Sequence, residues 1–401
     1  VVDDRHDRAK VLIVGGGIAG IEAALALNDL AGERVEVELR DPRRQFVFRP
    51  FAVGEPYGAA RVFRYDLDRL VGLCRASFRS DGVVSVDVAA RQAITRDGER
   101  VPYDHLILAT GARMLWSVSG AITFWGAADE GPMGDVVARL RSGELRRLVF
   151  TMPGGNSWAL PLYELALLGA TELGKAGIAS TRLTVVTPEE APLELFGRRA
   201  SEQMAALLEE RDIEVIAGTH AVRFDGGRLH IAPGEDVEAD AAVSLPRLEG
   251  RRVGGIPHDA DGFTGVDEHC RAIGAERVYA VGDVTAFPVK QGGIATQQAD
   301  AAAEAIAAAA GVEVEPEPFD PVLRGVLWTG KEPRYLYGRP TGGNGETSSM
   351  AERPKAPGQN GRDKVFGRYL TPFLGELLGD SAPAPTSPVV FSRENAENSG
   401  Q

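Results

Sequence analysis

Short apolar runs alternate with Ala- and Leu-rich stretches along much of the chain, and glycines separate them. Lys10–Val14 (KVLIV) is a β-branched run that closes on three glycines, which predicts a buried strand. Ile18–Leu30 reads as a helix, and Val35–Leu39 as a second strand with Asp41 just past its end. Leu106–Leu108 is a further strand, closing on Ala109-Thr110-Gly111. A second α/β unit opens near Ala121, with strands at Arg147–Met152, Leu183–Thr187 and Ala241–Leu245 and helices at Leu160–Leu173 and Ala200–Glu210. From about residue 256 the first pattern resumes, with a strand at Val278–Val281 and an Ala-rich helix at Ile294–Ala310.

This alternation predicts an α/β fold of two Rossmann-like, three-layer ββα dinucleotide-binding domains, the first split in sequence, plus a small C-terminal cap. The expected boundaries are 1–120 and 256–312 for the split domain, 121–255 for the inserted one and 313–380 for the cap. Gly342–Asp363, poor in large apolar residues, is expected to be a mobile loop, and the Pro/Ser/Asn-rich residues 381–401 a disordered tail.

Composition narrows the classes. A net charge of -13 argues against a nucleic-acid partner, because phosphates would be repelled. No run approaches the roughly 20 apolar residues that span a bilayer. The polar start, VVDDRHDRAK, does not read as a secretion signal, and two cysteines, Cys74 and Cys270, fit a reducing cytoplasm. No metal-ligand spacing is present, so no metal is expected.

Gly15-Gly16-Gly17-Ile18-Ala19-Gly20 matches GxGxxG between the first strand and the first helix. Gly15 permits the tight turn, Gly17 lets a pyrophosphate approach the backbone, and Gly20 lets helix and strand pack closely. The helix start at Ile18 and Ala19 offers free N–H groups and partial positive charge. Asp41 stands where an acid accepts ribose hydroxyls. Two further anchors are Ala109-Thr110-Gly111 and Gly282-Asp283, each ending a strand.

Taken together, these three anchors resemble the FAD-dependent pyridine nucleotide–disulfide oxidoreductases. Within them the chain looks most like the branch holding sulfide:quinone oxidoreductases and type II NADH dehydrogenases, over about residues 8 to 335. The resemblance implies one extended FAD, with adenine near Asp41 and the flavin near Asp283. It also implies that Arg49, in Phe48-Arg49-Pro50-Phe51, and Val83 border the cofactor. The match continues through Pro288-Val289-Lys290-Gln291-Gly292-Gly293-Ile294, where Lys290 and the helix opening at Gly293 and Ile294 would stabilise negative charge on the reduced flavin.

The chain also departs from that branch. The loop after Arg147–Met152, Pro153–Pro161, lacks the redox cysteine of the sulfide-oxidising members, which argues against thiolate chemistry. It also lacks a third small residue, which puts NAD(P)H binding in doubt, although Glu189 ends the next strand as a ribose-binding acid would. Glu164 is a candidate proton relay if buried, and otherwise a helix-surface charge. Trp158 and Tyr163 are read as a pocket wall or as domain-interface packing. The expected function is an oxidoreductase carrying two electrons from a small-molecule donor through FAD to a quinone-like or other acceptor. The alternatives are an NAD(P)H-dependent reductase, including one with a ferredoxin-type protein partner, and a non-catalytic flavin protein. Peripheral membrane contact and a homodimer stay open.

Overall fold

The computed structural model describes residues 8–126, 131–155, 158–339, 349–351 and 364–377. Most of the expected loop at Gly342–Asp363 and all of the tail at 381–401 lie outside the described residues.

Ala9–Val14 is a strand whose last four residues are fully buried, as its β-branched run requires. It is central in a parallel sheet of five, in the order Val278–Ala280, His105–Leu108, Ala9–Val14, Val35–Arg40, Ser77–Arg79. Strand Val278–Ala280 therefore joins this sheet after a long excursion of the chain. Helix α1 (Ile18–Ala31) crosses from the first strand to the second. The short helix α2 (Leu67–Leu73) precedes the edge strand and is capped by Asp66, whose carboxylate accepts the N–H of Arg69.

The inserted unit begins with α3 (Pro132–Arg141), α4 (Leu160–Ala176) and α5 (Arg198–Glu210) around a second parallel sheet. Its strand order is Ile122–Thr123, Ala241–Ser244, Arg147–Thr151, Arg182–Val186, Ile213–Ile216. An antiparallel ribbon, Ala112–Leu115 on Arg247–Gly250, carries the chain in and out of this unit. The fold class is that expected from the alternation of strands and helices.

After the last strand of the first sheet comes α6 (Gly292–Ala309), packed along α1. Both helices are rich in alanine, and Ala23, Ala24 and Ala26 of α1 join Ala299, Ala302 and Ala303 of α6 in one buried core. Small side chains let the helices lie close and leave little volume unfilled. Beyond α6 the described residues form a hairpin, Leu323–Leu327 on Arg334–Gly338, and the helix α7 (Leu370–Leu377). Residues 364–377 run as a strap across both sheets' helices.

Two antiparallel additions carry no βαβ signal and were not expected. They are the meander Val83–Asp87, Gln92–Thr95, Arg100–Pro102, and the hairpin His220–Asp225 with Arg228–Ala232. Cys74 and Cys270 are both buried and free, and burial pushes each thiol up to about 12, so neither is a thiolate at neutral pH.

Candidate functional site

The glycine turn shows three separate uses of a missing side chain. At Gly15, with φ of +114°, a Cβ would stand 2.3 Å from the Ala109 carbonyl oxygen. At Gly20 a Cβ would stand 1.9 Å from the Gly15 carbonyl oxygen. At Gly17 a Cβ would meet nothing within 4 Å. The first two glycines let strand, turn and helix touch, while the third opens onto free space. Gly17 is also the N-cap of α1 and brings no side-chain cap, so the first-turn N–H groups at Ile18 and Ala19 have no acceptor from a cap. Free space beside an uncapped helix start suits a phosphate.

The anchors expected from the sequence converge on this turn. Ala109 backs Gly15, and Thr110 follows with its hydroxyl buried and without a hydrogen-bond partner among the described residues. Gly111 takes φ of +68°, a conformation that favours glycine. Gly282, at φ of +76°, lies 3.2 Å from Ala19 and 3.3 Å from Ala295, measured from the position a Cβ would take. The buried amide of Gln298 fixes this turn by accepting the Gly282 N–H at 2.7 Å. Where α6 begins, a Cβ on Gly292 would stand 3.2 Å from Ile18 and 2.8 Å from Val365. The N-termini of α1 and α6 therefore meet beside the strap. Gly293 and Ile294 are buried there, and Gln291 caps the helix through the Ile294 N–H.

The charged residues divide into engaged and open groups. Asp41 is 2% exposed and accepts the Gly16 N–H at 2.8 Å, the Arg43 N–H at 2.8 Å and the Arg43 guanidinium at 3.0 and 2.7 Å. Its four lone pairs are thus taken, and in this arrangement it pins the glycine turn. Burial alone would push its pKa up, but Arg43 and Gly16 outweigh burial and hold it below the usual range. A ribose would have to displace Arg43, which is half exposed.

Asp283 stands differently, since no donor among the described residues hydrogen-bonds its carboxylate. Burial raises its pKa, and Lys290 and Arg49 draw it back. Arg49 is reached by solvent yet has protein on most sides, as a group lining a cleft does. Desolvation lowers its pKa, Arg43 and Arg251 add to that, and Asp283 opposes it. Electrostatically, Asp41 is tied to Arg43, Arg43 acts on Arg49, and Arg49 acts on Asp283, so two carboxylates flank two arginines; Val83 opens the meander strand Val83–Asp87.

Lys290 is 5% exposed, donates to the Thr285 carbonyl and lies 3.8 Å from the centre of the Phe263 ring. Burial pulls its pKa down to about 8, against the pull of Asp283 and Asp259. It is not a solvated surface lysine.

On the inserted unit, Glu164 is 1% exposed, so the helix-surface alternative fails. Its Oε1 accepts the Trp328 N–H at 2.7 Å and the Lys364 ammonium at 2.5 Å. Burial raises the Glu164 pKa and lowers that of Lys364, while their pairing opposes both shifts. Lys364 lies 4.1 Å from the centre of the Trp328 ring, and Trp328 stacks on Phe51 at 5.4 Å. Lys364 lies in a polar stretch and gave no local signal; only its partner 200 residues earlier makes it notable.

Tyr163 is fully buried and donates to Glu189 at 2.5 Å, while Trp158 packs edge-on against Phe196 at 5.6 Å. Glu189 also takes the Thr187 hydroxyl at 3.2 Å, and burial pushes it up to about 7, so it is not a solvated carboxylate. In the loop before α4, a Cβ on Gly154 would stand 2.9 Å from the His220 ring. Asn156 and Ser157 of that loop lie outside the described residues. Among the described residues no cluster could hold a metal ion, and no helix is long and apolar enough to cross a membrane.

Two five-stranded parallel sheets, the first opening on a bare glycine turn, are the twin-domain architecture of flavin-dependent oxidoreductases. Residues 9–309 match the Pyridine nucleotide-disulphide oxidoreductase family, and the chain belongs to it. Curated relatives include the sulfide-quinone reductase of Aquifex aeolicus, 25% identical over 311 residues that cover 69% of each chain. Rhodocoxin reductase of Rhodococcus erythropolis is 27% identical over 307 residues, covering 70% of this chain and 66% of that one. The solved structure of the Aquifex aeolicus sulfide:quinone oxidoreductase superposes with a TM-score of 0.78 at 22% identity, covering 86% of this chain and 87% of that one. At that identity the superposition speaks for the fold.

Replacing Gly20 with Ala would force the Gly15 turn and α1 apart. The expected loss of stability is about 1–3 kcal/mol, typical of overpacking a tight contact. Denaturant unfolding of Gly20→Ala beside the parent chain checks this; an unchanged midpoint would contradict the close approach.

Proposed function

We propose that the chain holds one FAD in the cleft from Asp41 to Asp283 and passes two electrons from a small donor to a quinone-like acceptor. The observation that carries the reading is a contrast between the two glycine loops. Gly17 faces open space at an uncapped helix start, whereas Gly154 is covered by the His220 ring. The first loop suits a dinucleotide; in the second a histidine ring stands against Gly154, while Gly155 meets nothing within 4 Å.

The residues fit FAD at several points. The free start of α1 can receive phosphate, the buried Thr110 hydroxyl lacks a partner, and Asp283 has acceptor capacity to spare. Bound FAD would supply reversible two-electron chemistry that no side chain here can provide. Lys290 and the N-terminus of α6 would place positive charge at the flavin end. Phe51 and Trp328, stacked beside Glu164 and Lys364, form an apolar wall suited to a flat aromatic acceptor. Reducing a quinone takes two protons along with two electrons, and the Glu164–Lys364 pair can hold and pass a proton there.

A second reading, an NAD(P)H-dependent reductase, rests on Glu189 at the end of its strand. There it already receives the Tyr163 hydroxyl.

Anaerobic mixing separates the two readings. NADH or NADPH is expected to leave the flavin colour almost unchanged, while a soluble quinone reoxidises the reduced protein quickly. Glu164→Gln is expected to slow reoxidation about 100-fold, the ordinary scale of a lost proton-transfer group. Fast bleaching by a nicotinamide nucleotide would overturn the quinone reading in favour of the second.

Lys290→Met is expected to lower the flavin midpoint potential at neutral pH by about 30–60 mV, equal to ~1.4–2.8 kcal/mol for two electrons. Lys290 carries its charge below about pH 8 and loses it above, so the difference between variant and parent should shrink as pH rises through that value. Redox titration across pH checks this, and a difference that grows with pH would refute it.

A further inference from the structure

The strap at 364–377 is fastened at two buried carboxylates on different sheets' helices. Lys364 reaches Glu164 on α4 at 2.5 Å. Further along, the N–H groups of Tyr369 and Leu370 donate to Glu22 on α1 at 2.9 and 2.6 Å. These N–H groups open α7, so a side chain from α1 caps a helix more than 340 residues away. Glu22 has no solvent exposure. The strap backbone also seats closely, since a Cβ on Gly367 would stand 2.8 Å from Glu22 Oε2.

Glu22 faces a second acid, Asp300 on α6, across the α1–α6 contact. Asp300 Oδ1 is shut off from solvent, and no donor among the described residues reaches it. Two ionised carboxylates have no hydrogen to share, whereas one proton held between them satisfies both. The other charged or titratable groups facing the pair are Asp29 on α1, Glu304 on α6, and Arg368 and Tyr369 on the strap. Arg368 is the one cation in that set, and it is half exposed and paired with Glu304 at 3.5 Å. The pair therefore has no buried cation to neutralise it.

We propose that Glu22 and Asp300 form a one-proton clasp that seats the C-terminal strap, and with it Lys364, and that losing the shared proton unseats the strap. Glu22, which receives two backbone N–H groups, is the ionised member, and Asp300 is the protonated donor. Burial raises both carboxyls, Glu22 to about 7, and Asp300 is raised further by Glu22. Below about pH 7 both carboxyls hold a proton; above it Glu22 is ionised while Asp300 keeps the shared proton, and the clasp is lost as pH rises through the raised Asp300 range. Above that range two negative charges share one dry site, and the strap's hold on α1 fails first. The clasp concerns how the strap is seated and stands whatever the electron acceptor is.

Hydrogen exchange of peptides from 364–377 in the full chain tests it, with rates corrected for the intrinsic pH dependence. Between about pH 7 and about pH 10, protection of the strap is expected to fall at least tenfold, while α6 keeps its own; one linked proton gives up to tenfold per pH unit. Asp300→Asn supplies a permanent N–H donor, so its strap should stay protected at the alkaline end. Glu22→Gln, with one acceptor oxygen for two N–H groups, should be weakly protected at every pH and nearly flat. Strap protection in the parent chain that does not change with pH would overturn the clasp. So would an Asp300→Asn profile that follows the parent's.

Discussion

The Gly20 and Gly15 backbones touch, and Gly15 in turn rests on the carbonyl of Ala109, at separations that leave no room for a methyl group. This double contact draws the central strand, α1 and the strand His105–Leu108 to one point. Because Gly17 brings no side chain, the helix start beside that point is bare. A bare helix start carries partial positive charge and unsatisfied N–H groups, which the chain itself leaves uncompensated. The proposed cofactor site follows from that packing: the same small residues that let the backbone close up leave open space at Gly17.

Charge is arranged around this opening in a graded way. Asp41 is bound on all sides and stiffens the turn, whereas Asp283 has spare acceptor capacity at the far end of the cleft. Arg43, Arg49 and Arg251 lie between or beside them, in a chain whose net charge is -13. Local cations in a strongly acidic protein concentrate anion affinity in one cleft. The buried Glu164–Lys364 pair serves a different purpose. A buried ion pair is weak evidence for stability, because desolvation offsets most of its attraction, but it ties the strap to α4.

The two sheets were legible because their signals are local. KVLIV followed by glycines, and YAVGD ending a strand, can each be read within ten residues. The helices at α1, α4, α5 and α6 were placed to within three residues of their ends. What escaped was long-range. Glu22 looks like one polar residue on an Ala-rich helix, and nothing nearby announces Tyr369 or Asp300 as partners. Lys364 is one cation in a polar stretch until Glu164 is set against it. The meander and the hairpin were missed because short alternating strands give weak patterns beside a strong βαβ rhythm. Sequence also cannot show that Arg43 folds back onto Asp41.

Flavin content is the most direct test of this account. The purified full chain, unfolded to release any bound cofactor, should yield one FAD per polypeptide, and protein freed of flavin under mild conditions should take up one FAD again. A folded chain that contains no flavin and binds none when FAD is supplied would contradict the claim that the glycine cleft is a cofactor site.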